Sequence, residues 1–255
     1  MSSAQSLLME IDCGNSAAKW RLVSENGIMD RGVIDYEDGF AQCFHALDLS
    51  AEQLLGCRVV SVASKDVEAE LLDGWSRLSS LPIRFAKVER HCESVQCGYE
   101  DLSQMGVDRW AAVVAASRII EGACVVIDAG TAITADVLDA QKCHRGGYIL
   151  PGVESMLSSL RDKTAIPVER FPDADQLAVA EPGISTSSAI ANALTLAVAG
   201  FVDSIMVEFN SEASVVLTGG HADLLRRFVR GEIQVCPDLV LDGLALLLPM
   251  EWQEA

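Results

Sequence analysis

An apolar run from Leu7 rises into Asp12, breaks at Gly14, and resumes at Trp20-Arg21-Leu22-Val23. That pattern predicts a strand, a tight turn and a second strand. Gly27 to Asp35 reads as the third strand of a meander, and Gly39 to Leu47 as a helix. Arg58 to Val62 is a short apolar strand. From Lys65 to Ser80, the residues Val67, Leu71, Leu72, Trp75 and Leu78 recur at helical spacing. Ile83 to Val88 is a further strand. Glu89 to Met105 has no period and predicts a loop, of a length that is often functional in compact domains. Gly106-Val107-Asp108-Arg109 then opens a helix running to about Ile120.

The same order returns in the second half. Val125 to Asp128 is an apolar strand, and Ala132 to Leu138 follows it after a glycine turn. His144 to Ile149 supplies a third strand, and Pro151-Gly152 starts a helix through Leu160. Residues 162–182 are charged and proline-bearing and read as a surface excursion. A long helix reaches about Phe209. Strands at Val215–Thr218 and Ile233–Cys236 alternate with helices at Ala222–Val229 and Leu239–Leu248. Strands alternating with helices predict a mixed sheet with helices on its faces. Here the plan is written twice, which divides the chain into 1–121 and 122–255 with no linker between them.

With 255 residues, half of them hydrophobic, the chain can bury one large or two modest cores. A net charge of −18 and the lack of a basic stripe weigh against nucleic-acid binding. Any anionic ligand must be held by a few local cations against that field. The eight cysteines stand singly, several in apolar runs, with no Cys-x-x-Cys. They read as small buried hydrophobes in a reducing, cytosolic chain. Met1 to Ser6 has neither a basic start nor an apolar signal core. Gly183 to Val202 carries no charge, but it is rich in Ala, Ser and Thr and ends at Asp203. It reads as a helix packed in protein, with no membrane partner.

The candidate chemistry lies at the turns. Gly14 lets backbone approach a ligand, Asn15 and Ser16 are short donors, Lys19 is a cation, and Asp12 at the strand end can hold a hydrated metal ion. Together they are what a polyphosphate with Mg²⁺ needs. Asp-x-Gly recurs at Asp128-Ala129-Gly130, followed by Thr131, nearly half the chain away. Thr218-Gly219-Gly220 forms a third turn after an apolar strand. Two facing Asp-x-Gly turns are the layout of a nucleotide clamped between similar domains. Plainer roles also exist: Asp12 and Lys19 as a solvated hairpin, Asp108 as a helix-start carboxylate, Arg109 on a helix face, Thr186 near an N-cap. Neither a P-loop nor a Gly-x-Gly-x-x-Gly motif is present.

In five motifs, over nearly the whole chain, the sequence resembles the type III pantothenate kinases of the acetate and sugar kinase, Hsp70 and actin superfamily. Asp12, Gly14, Asn15, Ser16 and Lys19 meet Asp-x-Gly-Asn-[Ser/Thr]-x-x-Lys. Gly106, Asp108 and Arg109 meet Gly-x-Asp-Arg, with Tyr99 in a Gly-Tyr pair upstream. Asp128, Gly130, Thr131 and Thr134 meet the second phosphate motif. Gly146 to Gly152 and Thr218 to Gly220 complete the set. The resemblance implies an α/β fold of duplicated actin-like (ribonuclease H-like) βββαβαβα domains with a nucleotide cleft between them. It implies phosphorylation of pantothenate by Mg-ATP, the first step to coenzyme A, in a cytoplasmic homodimer. By the same resemblance Asp12, Cys13, Gly14, Asn15, Ser16, Ala17, Ala18, Lys19 and Thr131 hold ATP. Tyr99, Gly106, Val107, Asp108, Arg109 and Thr186 take pantothenate, with Asp108 as the base, and Asp128 sits at a K⁺ or NH₄⁺ site.

Two other readings stay open at this point. One is a sugar kinase or phosphohydrolase of the same superfamily, against which a carboxylate-binding Arg109 argues. The other is a non-catalytic regulatory protein, against which the intact Asp12, Lys19, Asp108 and Arg109 argue.

Overall fold

The computed structural model describes residues 6–47, 49, 53–166, 181–209, 213–229 and 231–249. The first apolar runs pair as β1 (Leu7–Cys13), β2 (Ala17–Ser24) and β3 (Gly27–Asp35), an antiparallel meander. After α1 (Phe40–Ala46) the chain returns as β4 (Leu54–Ser61), parallel to β1. Helix α2 (Lys65–Leu78) then leads to β5 (Ile83–Phe85), parallel to β4. α2 begins where Ser64 caps the Val67 amide at 3.3 Å, with Asp66 and Glu68 in its positive first turn and Arg77 in its last. The strand order is β3-β2-β1-β4-β5.

Two short strands, β6 (His91–Cys92) and β7 (Val95–Gln96), and a 3₁₀ turn at Leu102–Gln104 interrupt the predicted loop before α3 (Val107–Ile119). The second sheet is then built like the first. β8 (Cys124–Ala129), β9 (Ala132–Leu138) and β10 (His144–Pro151) form the meander. α4 (Val153–Lys163) and α5 (Thr186–Phe209) precede β11 (Ser214–Thr218). α6 (Ala222–Arg226), β12 (Ile233–Val235) and α7 (Leu239–Leu247) follow. The order β10-β9-β8-β11-β12 repeats the first sheet position for position, so the duplication read from the sequence is present in the fold. Most of the predicted excursion at 162–182 lies outside the described residues.

The chain forms two compact units, one from Met1–Glu93, Tyr99–Ala115 and Leu239–Ala255, the other from Ser94–Gly98 and Ala116–Asp238. Each buries one face of its sheet under helices. In the first, Leu7, Met9, Ile11 and Cys13 join Phe40, Phe44, Leu71 and Trp75 from α1 and α2. In the second, Val125, Ile127 and Ala129 pack with Leu157 and with Leu194, Val198, Val202 and Ile205 of α5. Those α5 positions recur at three- and four-residue steps, the spacing of one helix face. α5 is long and apolar enough to cross a membrane by length and composition, and this face is instead committed to the second unit's core.

Alternation along β1 puts Glu10 on the face opposite Met9 and Ile11. There it lies in register between Arg21 on β2 and Arg58 on β4, and it is fully buried. Both guanidinium groups pair with its carboxylate. α7 packs over this row: Arg21 reaches Asp242 at 2.6 Å, and Arg58 donates to the Leu248 carbonyl at 2.7 Å. The last helix thus belongs to the first unit, although sequence order groups it with the second half.

Candidate active site

The first Asp-x-Gly turn closes the β1–β2 hairpin. Asp12 stands opposite Lys19 and Cys13 opposite Ala18. Gly14 N–H donates to the Ala17 carbonyl at 3.1 Å, and the Gly14 carbonyl accepts from the Tyr36 hydroxyl at 2.6 Å. Asp12, Gly14, Ala17 and Lys19 are half-buried, while Asn15 and Ser16 are exposed at the tip. A Cβ on Gly14 would press on the Ala17 carbonyl at 3.2 Å. The small residue therefore permits the tight closure.

Cys13 points the other way, into the core. Burial, with Asp12 and Glu68 adding repulsion, pushes its thiol up to about 12, and burial pushes Cys124 up to about 11. Both remain thiols at ordinary pH, and the thiolate is the reactive form. Iodoacetamide at about pH 8 is expected to spare Cys13 and Cys124 in the native chain and to label both in denaturant, read by peptide mass spectrometry. Native labelling of Cys13 at the rate of a free thiol would count against its burial.

Next to the turn, β4 ends at Ser61, paired with Cys13, and Val62 N–H donates to the Cys13 carbonyl at 3.0 Å. Ser61 and Val62 line a cavity of about 560 Å³ together with Lys87, Met105, Gly106 and Val107. The cavity opens at the carboxyl ends of parallel strands β4 and β5, where α/β sheets bind ligands. The start of α3 forms part of its wall.

The Gly-x-Asp-Arg segment shapes that helix start. The Gly106 carbonyl accepts from Trp110 N–H at 3.0 Å, and Asp108 Oδ1 accepts from Arg109 N–H at 2.7 Å. Asp108 is half-buried. Arg109 is only 6% exposed, and its Nη1 donates to the Tyr99 hydroxyl at 3.0 Å, with the guanidinium 5.7 Å from the ring centre. A buried, planar guanidinium fixed in this way presents a fork suited to a carboxylate. Tyr99 is itself held: Arg90 donates to the Tyr99 carbonyl at 2.6 Å and to the Glu100 carbonyl at 3.0 Å. One step on, Asp101 accepts from Ser103 N–H and Ser103 Oγ at 3.0 and 2.7 Å, which starts the 3₁₀ turn and holds its carboxyl below the usual range. The first unit by itself therefore assembles Tyr99, Gly106, Val107, Asp108 and Arg109.

The second unit repeats the turn. Asp128 pairs with Thr134, and Gly130 N–H donates to Ala132 at 2.9 Å. The exposed Thr131 offers its carbonyl to Gly152 N–H at 2.9 Å and Ser155 Oγ at 2.8 Å. Thr218 lies beside Asp128, and Gly219 follows with φ +88°. A Cβ there would run into the Asp128 carboxylate and the Ala129 carbonyl. These two turns, close enough to require glycine, gather oxygen atoms of the kind that alkali cations take. Thr186 is the exposed first residue of α5 in this unit, and the cap is the preceding Ser185, whose Oγ accepts from Ser188 N–H at 3.1 Å.

Sequence reasoning missed Tyr36, Arg90 and Asp101. The first two act on backbone carbonyls, which leave no trace in residue type. Asp101-x-Ser103 is the one local signal, an aspartate two residues ahead of a serine at a turn.

Comparison with known proteins bears on the whole chain. The sequence profile of the type III pantothenate kinase family matches residues 8–208. A type III pantothenate kinase of Pseudomonas putida (strain W619) is 37% identical over 253 residues, covering 96% of this chain and all of the relative. One from Pseudomonas aeruginosa (strain LESB58) is 35% identical over 256 residues with the same coverage. In fold, the chain is similar to the activator of the 2-hydroxyisocaproyl-CoA dehydratase from Clostridium difficile with bound ADPNP. The TM-score is 0.55 at 15% identity, covering 94% of this chain and 93% of that one.

Proposed function

The chain belongs to the type III pantothenate kinase family, and from that premise we propose how its own residues serve the reaction. It is a kinase that phosphorylates pantothenate with ATP and a divalent metal, a step of coenzyme A biosynthesis. The observation that carries the residue assignments is the first unit's arrangement. Ser61 and Val62, which pair with Cys13 beside the turn at Asp12–Lys19, line one cavity with Gly106 and Val107, the residues that lead directly into Asp108 and Arg109.

In this reading the residues Asp12 to Lys19 and Thr131 bind ATP, with the Lys19 ammonium and the turn amides on its phosphates. Asp12 and the Ser16 hydroxyl are hard oxygen donors of the type Mg²⁺ takes, and Mg²⁺ when bound neutralises charge on the transferring phosphoryl group. Gly106 and Val107 line the acceptor pocket, and Thr186 is assigned to pantothenate by the family resemblance alone. Arg109, oriented by Tyr99, forks the pantothenate carboxylate. Asp108 orients the acceptor hydroxyl in line and takes its proton. Asp128 holds a monovalent cation, K⁺ or NH₄⁺. The resemblance also implies a cytoplasmic homodimer, and eight cysteines without a disulfide accord with a reducing compartment.

With Mg-ATP, the purified chain is expected to release ADP on addition of pantothenate and not of glucose, acetate or glycerol. At constant ionic strength the rate is expected to rise when Na⁺ is replaced by K⁺ or NH₄⁺. ADP release with a sugar and none with pantothenate would overturn the acceptor assignment. Indifference to K⁺ would remove only the cation role of Asp128.

A further inference from the structure

The turn that faces the nucleotide in the reading above is held from behind by a residue outside every motif. Tyr36 directly follows β3, and its hydroxyl donates to the Gly14 carbonyl at 2.6 Å. Its ring is half-buried and lies 6.0 Å from the ring of Phe40, which is fully buried, so packing fixes its direction. Burial, with Cys13 and Asp12 close by, raises the phenol well above its ordinary value, so it stays a donor wherever the enzyme is assayed.

A trans peptide group is planar, and its C=O and the following N–H point in opposite directions. Fixing the Gly14 carbonyl on Tyr36 therefore directs the Asn15 N–H to the other side, away from Tyr36. The Gly14 N–H is already used on Ala17, so Asn15 supplies the next main-chain donor of the turn. A flip of this peptide would withdraw that donor and turn a carbonyl oxygen toward an anion. Glycine at position 14 makes such a flip inexpensive, because either orientation is open to it.

We propose that Tyr36 is a positioning residue for the phosphate turn: through the Gly14 carbonyl it aims the Asn15 amide at the nucleotide's phosphates. The inference rests on the assignment of this turn to ATP, but not on the identity of the acceptor.

Tyr36→Phe tests it, because phenylalanine keeps the ring and its packing and loses only the donor. By calorimetry, the Kd for a non-hydrolysable ATP analogue is expected to rise about 3- to 10-fold, the effect of one hydrogen bond, while the Kd for adenosine is unchanged. KM for ATP should rise in parallel, and KM for pantothenate at saturating ATP should not. Equal weakening of the analogue and adenosine would make Tyr36 merely structural and overturn the proposal, as would unchanged analogue binding. A wild-type chain that binds the analogue but does not phosphorylate pantothenate overturns the acceptor reading, and the analogue-to-adenosine comparison still decides the role of Tyr36. A wild-type chain that binds neither overturns both.

Discussion

Asp108→Asn is expected to cut turnover about 10²–10⁴-fold, the usual contribution of a positioned general base, while ATP binding persists. The fold has little reason to change. Asn keeps an oxygen for the Arg109 N–H that Asp108 Oδ1 accepts at 2.7 Å, and it is as good a residue at a helix start. An amide can still orient the acceptor hydroxyl, but it cannot take its proton. A loose phosphoryl-transfer transition state still needs that hydroxyl in line and its charge balanced, so part of the loss is electrostatic. Steady-state kinetics at saturating pantothenate, with ATP-analogue binding measured in parallel, reads the result. Near-normal turnover would leave Asp108 a helix-start residue and move the search for the base to Asp12.

The largest stability effect is expected at Glu10. Glu10→Ala leaves two guanidinium groups, on Arg21 and Arg58, almost fully enclosed with their shared carboxylate gone. Breaking a buried ion pair by removing one partner costs about 3–5 kcal/mol. For a chain of this size that corresponds to a drop of about 10 °C in melting temperature. Glu10→Gln keeps the shape without the charge and should fall between the variant and wild type. Calorimetry or thermal circular dichroism measures both, and a Glu10→Ala chain that melts with wild type would show that water or Asp242 replaces the lost carboxylate. Retaining all three charges does not make the set a net gain in stability over an apolar row. Its clearer role is to pin β1, β2, β4 and α7 in one register.

This cluster also marks where sequence reading stops. The turns at Asp12–Gly14 and Asp128–Gly130 were legible because alternating strands run straight into an aspartate and a glycine, a local pattern. The repeated succession of strands and helices was legible from local periodicity, whereas the order of strands within each sheet was not, because it is set by the parallel crossovers. Glu10, Arg21 and Arg58 sit singly in apolar strands, and nothing local says that three strands bring them into one row. Their pairing is decided by the parallel crossover from β1 to β4. Sequence order likewise assigned α7 to the second half, whereas Asp242 and the Leu248 carbonyl bind the first sheet's arginines. On the proposed acceptor side, Tyr99 and Arg109 could be named only through the family resemblance, on the Gly-Tyr pair and the Gly-x-Asp-Arg motif. The Arg90 clamp on the Tyr99 and Glu100 carbonyls could not, because any backbone offers the same oxygen. Strand ends were less legible still: β4 starts at Leu54, earlier than the apolar run alone indicates, because parallel pairing with β1 extends it.

The tie between the first sheet and α7 has a consequence for biosynthesis. A ribosome delivers β1 with Glu10 before the chain of the second unit and α7 after it. Domains generally fold as units as they emerge, earliest first. Here the second unit's chain, through Asp238, is complete while Asp242 and Leu248 are still unmade, so the arginines of the first sheet wait for them through the rest of translation. Of the two sheets, the first is synthesised earlier and acquires its last contacts later.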